Sequence, residues 1–120
     1  MVDMRRPTIL VVDDDPVIVD LISSLLEDDY AVLAAYDGRD ALRLVRKQRP
    51  DLLLLDLMMP GVDGFTVARQ VREKYQDRLP VLIISAHPNL HSQTQDLGIN
   101  GFMTKPFEPE ELVNRVAQLV

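Results

Sequence analysis

Four consecutive leucines at residues 52–55, closed by Asp56, constrain the fold of this 120-residue chain more than any other stretch. A strand with one wet face alternates apolar and polar side chains, because successive residues point to opposite faces. A run without alternation suits a central parallel strand covered by helices on both sides. The rest of the chain repeats the idea. Short apolar runs, TILVV (8–12), YAVLAAY (30–36), DLLLLDL (51–57), PVLIIS (80–85) and GFMT (101–104), alternate with stretches of helical period. PVIVDLISSLLEDD (16–29) places Ile18, Leu21, Ile22 and Leu25 on one face, with Asp15 as its cap and Pro16 at the first helical position. GRDALRLVRKQRP (38–50) turns Ala41, Leu44 and Val45 inward and is stopped by Pro50. In PGVDGF (60–65), Pro60 and Gly61 suit the middle of a type II turn, and Asp63 can cap GFTVARQVREKY (64–75). PEELVNRVAQLV (109–120) buries Leu112, Val116 and Leu119. Five such βα units predict an α/β fold: a doubly wound, five-stranded parallel sheet with helices on both faces.

The bulk numbers exclude several alternatives. A 47% apolar and 27% charged composition fits one soluble globular domain over residues 1–120, with 1–7 a tail in which Arg5 and Arg6 are expected to be solvated. No apolar run approaches the ~18 residues of a membrane span, and acids arrive too soon for a secretory leader, so the cytoplasm is the expected compartment. The absence of cysteine agrees with a reducing environment. A net charge of -6 repels a phosphate backbone, so direct nucleic-acid binding by this domain is not expected.

In open parallel sheets ligands bind beyond the carboxyl ends of the strands. Here the first strand ends in Asp13, Asp14 and Asp15, the third at Asp56 and the fourth at Ser85, while the fifth runs into Lys105. Carboxylates crowded at one rim repel each other unless a cation intervenes. Carboxylate and carbonyl oxygens with water suit Mg2+, a hard ion usually held beside a phosphate. One helix cap needs one acid, and Asp15 serves, which leaves Asp13 and Asp14 for the site. His87 and His91 show no metal-ligand spacing and read as surface residues; Met58 and Met59 read as gap fillers or partly exposed side chains.

The segments ILVVDDDP, LLLLDLMMPGVDG, PVLIISA and MTKPF resemble, in order and approximate spacing, a bacterial two-component response-regulator receiver domain over essentially the whole chain. The resemblance implies a flavodoxin-like strand order 2-1-3-4-5 and a phosphoacceptor module served by a histidine kinase or phosphotransfer protein. By position, Asp56 resembles the phosphoacceptor, Asp14 and Asp56 the direct Mg2+ ligands, Asp13 an outer-sphere ligand, and Met58 a ligand through its backbone carbonyl. Ser85 resembles the hydroxyl that bonds the phosphoryl group, Lys105 the ammonium that pairs with it, and Phe102 the aromatic switch. The peptide bond Lys105-Pro106 matches one commonly cis in the family. The switching face would be made by the fourth helix, fifth strand and fifth helix, and a phosphorylation-dependent homodimer is within the family's range.

Departures from the family pattern carry expectations of their own. The stretch between Ser85 and Lys105 is shorter than usual, and HPNLHSQTQDLG offers only Leu90 and Leu97 as large apolar anchors, so the fourth helix is expected to be short or frayed and residues 87–96 mobile. Phe102 lacks the hydroxyl of a tyrosine. Met58 and His87 would flank the path of the hydrolytic water, and an apolar Met58 predicts a long-lived phosphoryl group. A rival reading is a haloacid-dehalogenase-like phosphohydrolase, in which ILVVDDDPV supplies Asp13 as nucleophile and Asp15 as general acid. That superfamily needs a longer chain and a further acidic pair after the lysine, and it leaves Asp56 idle. A degenerate, phosphorylation-independent receiver is the remaining alternative, disfavoured by the intact constellation.

Overall fold

The computed structural model describes residues 6–120. Its strands are β1 (Thr8–Val12), β2 (Ala31–Ala35), β3 (Leu52–Leu55), β4 (Val81–Ser85) and β5 (Gly101–Thr104), and its α-helices are α1 (Pro16–Leu26), α2 (Gly38–Gln48), α3 (Gly64–Tyr75) and α4 (Pro109–Leu119). The strands form one parallel sheet in the order β2-β1-β3-β4-β5. The leucine run explains itself in this setting. Leu53 and Leu55 enter the core under α2 and α3, with Leu10, Val12, Val67, Val71 and Ile83. Leu52 and Leu54 enter the opposite core under α1 and α4, with Ile9, Val11, Ile22, Leu26 and Val116. Each fully buried leucine contributes about 1.5–3 kcal/mol of transfer free energy, so β3 alone anchors both layers.

Local chemistry sets the helix starts. The Asp15 carboxylate accepts from the Val17 N–H at 2.9 Å with Pro16 following, and the Asp63 carboxylate accepts from the Thr66 N–H at 2.9 Å. Asp37 caps α2 by accepting from the Asp40 N–H at 2.7 Å. Gly61 has φ +76°, the left-handed value required at the third position of a type II turn. Gly64 admits no side chain: a Cβ there would lie 2.2 Å from the Asp56 carbonyl oxygen.

Several expectations change. The inward face of α1 is Val19, Ile22 and Leu26, and Leu21 is 45% exposed where Val19 is 1% exposed. Ile18 and Leu25 flank that face and are partly buried, as are Leu44 of α2 and Leu119 of α4. Helix α1 ends at Leu26 rather than running through Asp29, because Glu27, Asp28 and Asp29 would place three acids at the negative end of the helix dipole. Arg6 is exposed, yet its guanidinium donates to the carbonyls of Glu27 at 2.7 Å and Asp28 at 3.3 Å, so it caps α1 instead of hanging in solvent. Arg5 lies outside the described residues. Between β4 and β5 there is no α-helix among the described residues: Pro88–Leu97 is a 3-10 segment, closed by Gly98 at φ +66°. The helix expected as the fifth is therefore α4. The two apolar anchors of Pro88–Leu97, Leu90 and Leu97, cannot cover a full α-helical face, and the tighter 3-10 winding also fits the short connection.

Candidate functional site

Adjacent strands in parallel register bring the acids together. Val12 of β1 pairs with Leu55 of β3, so the residues that follow, Asp13 and Asp56, leave the sheet side by side. The Asp56 N–H donates to the Val12 carbonyl at 2.9 Å and the Asp13 N–H to the Ala35 carbonyl at 3.2 Å. Carboxylate oxygens of Asp13, Asp14 and Asp56 all lie within 4.8 Å of one another. From the far side of the sheet, Lys105 follows β5 with its N–H donating to the Ser85 carbonyl at 2.8 Å. Its ammonium reaches Asp13 Oδ2 at 2.5 Å and stands 3.7 Å from Asp56 Oδ1. The Lys105–Pro106 peptide bond is cis.

The electrostatics differ from one acid to the next. Asp13 is buried with both oxygens committed, Oδ2 to Lys105 and Oδ1 to the Asp15 N–H at 2.9 Å. Asp14 is exposed. Burial pushes the Asp56 carboxyl from 3.8 up to about 6; Lys105 opposes the rise, Asp13 and Asp14 add to it, and the Met58 N–H opposes it. A donor set made only of oxygens, with one committed acid and two available ones, fits a hard divalent cation that retains part of its water shell.

Around this cluster, Ser85 is fully buried and its hydroxyl oxygen accepts from the His87 N–H at 3.0 Å. Phe102 is partly buried, and the exposed His91 stacks on it, ring centroids 4.6 Å apart and planes 18° from parallel. His91 is thus a surface residue, as expected, with a contact that spacing in the sequence could not reveal. His87 is exposed too. Met58 is 53% exposed at the rim, whereas Met59 is buried and fills core.

Two glycines that carry no chemistry of their own also shape the site. Gly64 lets α3 begin against the Asp56 carbonyl, and Gly38 lets α2 begin against the carbonyl of Val62, where a Cβ would sit 2.1 Å away. Together they hold the loop that follows Asp56. The DG pair at 37–38 and again at 63–64, each a cap followed by a glycine, was the available signal.

Comparison with known proteins agrees with this geometry. The family model for the response regulator receiver domain matches residues 9–117. Chemotaxis protein CheY4 of Vibrio cholerae is 32% identical, with 96% of this chain and 99% of that one covered and a TM-score of 0.88. A putative response regulator from Chloroflexus aurantiacus is 34% identical over 96% of this chain and 98% of that one, TM-score 0.89. The response regulator TrrA from Thermotoga maritima, solved in complex with Mg2+ and BeF, is 32% identical over 95% and 99%, TM-score 0.88. The haloacid-dehalogenase alternative is not supported: Asp15 caps α1, both oxygens of Asp13 are engaged, and the match is to the other family. With 109 of its residues matched by the family model and the sheet order of that fold, the chain belongs to the response regulator receiver domain family, the phosphoacceptor modules of two-component signalling.

Proposed function

We propose that Asp56 is the phosphoacceptor, taking its phosphoryl group from a phosphohistidine of a histidine kinase or phosphotransfer protein. The observation that carries this reading is the convergence of Asp13, Asp14, Asp56 and Lys105 at one rim, from the ends of three strands. In the reaction an Asp56 oxygen attacks phosphorus, the phosphorus–nitrogen bond breaks, and the leaving imidazole nitrogen takes a proton from solvent, which leaves an acyl phosphate. Transfer of this kind is catalysed chiefly by positioning and charge neutralisation. Lys105 supplies a point charge beside Asp56 and needs only to turn from Asp13 towards the new phosphoryl oxygens. Mg2+, when held by Asp14, Asp56 and the Met58 carbonyl with Asp13 acting through water, would neutralise charge on the transferred group.

The signal follows from the added charge. A phosphoryl group brings roughly 1.5–2 negative charges and strong acceptors, which attract the Ser85 hydroxyl away from its bond with the His87 N–H. Movement of Ser85 opens space into which the Phe102 ring rotates, altering the face made by the 3-10 segment, β5 and α4. The same site limits the signal, since water can attack the acyl phosphate past Met58 and His87. With a net charge of -6, output through protein contact is favoured over direct DNA contact by this domain.

The test is exposure of the wild-type chain and an Asp56→Asn variant to acetyl phosphate with Mg2+, followed by mass mapping. A single phosphoryl group on Asp56, absent from the variant, is expected. Labelling at Asp13 instead would overturn the assignment.

A further inference from the structure

At the edge of the sheet opposite Asp56, the C-terminal ends of α2 and α3 enclose a half-open cleft of about 470 Å3. We propose that this cleft binds a small organic phosphate. Its volume falls within the ~300–1,000 Å3 of small-ligand sites. Its floor is apolar, made by Val45, Pro50 and Leu79 with the Tyr75 ring, and its walls carry Arg46, Arg49, Lys74 and Arg78. A domain with a net charge of -6 thus concentrates four of its 13 cationic side chains around one concavity.

The helix dipole accounts for only part of this. Cations in the last turn of a helix are favourable, which covers Arg46 and Lys74. Arg78 is occupied with the exposed carbonyls of α3, donating to Tyr75 O at 3.2 Å and Lys74 O at 3.5 Å. The single carboxylate in the cleft, Asp51, accepts from the Thr8 N–H at 2.7 Å. Among the described residues, Arg46, Arg49 and Lys74 pair with no carboxylate, although the neighbouring Arg43 on the same helix has one in Asp40 at 2.7 Å.

Arg49 is the telling residue. It ends α2 in the left-handed conformation, φ 48° and ψ 64°, the position where glycine is cheapest. The chain accepts a non-glycine residue there and gains a guanidinium on the cleft wall. Two guanidinium forks and an ammonium above an apolar floor match the chemistry of a phosphate on a flat organic body. Lys74 holds its ammonium over the Tyr75 ring, 5.7 Å from its centre, which fixes one cation of the cleft beside its aromatic side chain.

Amide NMR of the 120-residue chain in EDTA, titrated with ADP and separately with adenosine, tests the proposal. ADP should shift amides around residues 45–51 and 74–79 saturably, with a Kd of ~1 mM or tighter, and adenosine should not. Arg49→Gly separates a structural role from a binding one, because it relieves the backbone while removing the guanidinium. Binding predicts a higher melting temperature together with ADP affinity weakened about tenfold, a loss of 1.4 kcal/mol. Unchanged affinity in that variant, shifts confined to the Asp56 rim, or no saturation by ~10 mM would each overturn the proposal.

Discussion

Replacing Asp56 with asparagine should make the metal-free domain more stable at neutral pH while abolishing phosphorylation. The folded chain keeps a proton on Asp56 up to about pH 6, whereas a free carboxyl releases it near 3.8. The Asp56 contribution to wild-type stability therefore falls as pH rises through that window, and above it the charged carboxylate costs the fold its full penalty. A rise of roughly two units at 1.36 kcal/mol each sets that penalty near 3 kcal/mol. Asparagine recovers less, because its amide must also be accommodated beside Lys105, and a gain of about 2 kcal/mol is expected. For a domain of this size that corresponds to a melting temperature higher by about 8 °C. Thermal melts followed by far-ultraviolet circular dichroism, in EDTA, at pH 7.5 and pH 4, provide the assay. The advantage should be present at pH 7.5 and gone at pH 4, and Mg2+ at pH 7.5 should narrow it by stabilising the wild type. A variant no more stable than wild type at pH 7.5, or equally advantaged at pH 4, would refute the reasoning.

Other outcomes follow from the same geometry. Met58→Asn, a change at an exposed position beside Asp56, should speed loss of the phosphoryl group several-fold by admitting and orienting water, as read from phosphate release after acetyl phosphate is removed. Gly64→Ala should cost about 3 kcal/mol or more, because the new methyl meets the Asp56 carbonyl and the backbone must move; a thermal melt measures it. Hydrogen exchange should be faster across residues 87–96 than in α1 to α4, since that stretch has few apolar anchors and exposed 3-10 bonds. Lys105→Met leaves the buried Asp13 without its cation and should destabilise the metal-free chain by about 3 kcal/mol, partly restored by Mg2+ in the same melts.

The fold was largely legible because burial on both faces writes itself as uninterrupted apolar runs, and each of the five strands was located to within two residues at either end. The inward face of α1 was not legible, because PVIVDLISSLL is apolar almost all round and periodicity cannot separate Val19 from Leu21, which lie on different sides of one helix. The weakness of the segment after Ser85 was visible in Pro88 and its polar composition, but 3-10 winding depends on the distance between β4 and β5, which a sequence does not state. At the site, the residue types and their order were readable. The pairing of Lys105 with Asp13, across 92 positions, and the stack of His91 on Phe102 were not, because both arise only when separate strand ends meet.

The amides of Asp13, Asp56 and Lys105 are each tied to the carbonyl at the end of a neighbouring strand, those of Ala35, Val12 and Ser85. These candidate site residues are therefore the last rungs of the hydrogen-bonded ladder. Fraying of the sheet from this edge would separate them while the buried runs behind them stay paired. On the proposed assignment of Asp56, acceptance of a phosphoryl group therefore requires these strand ends to be in register.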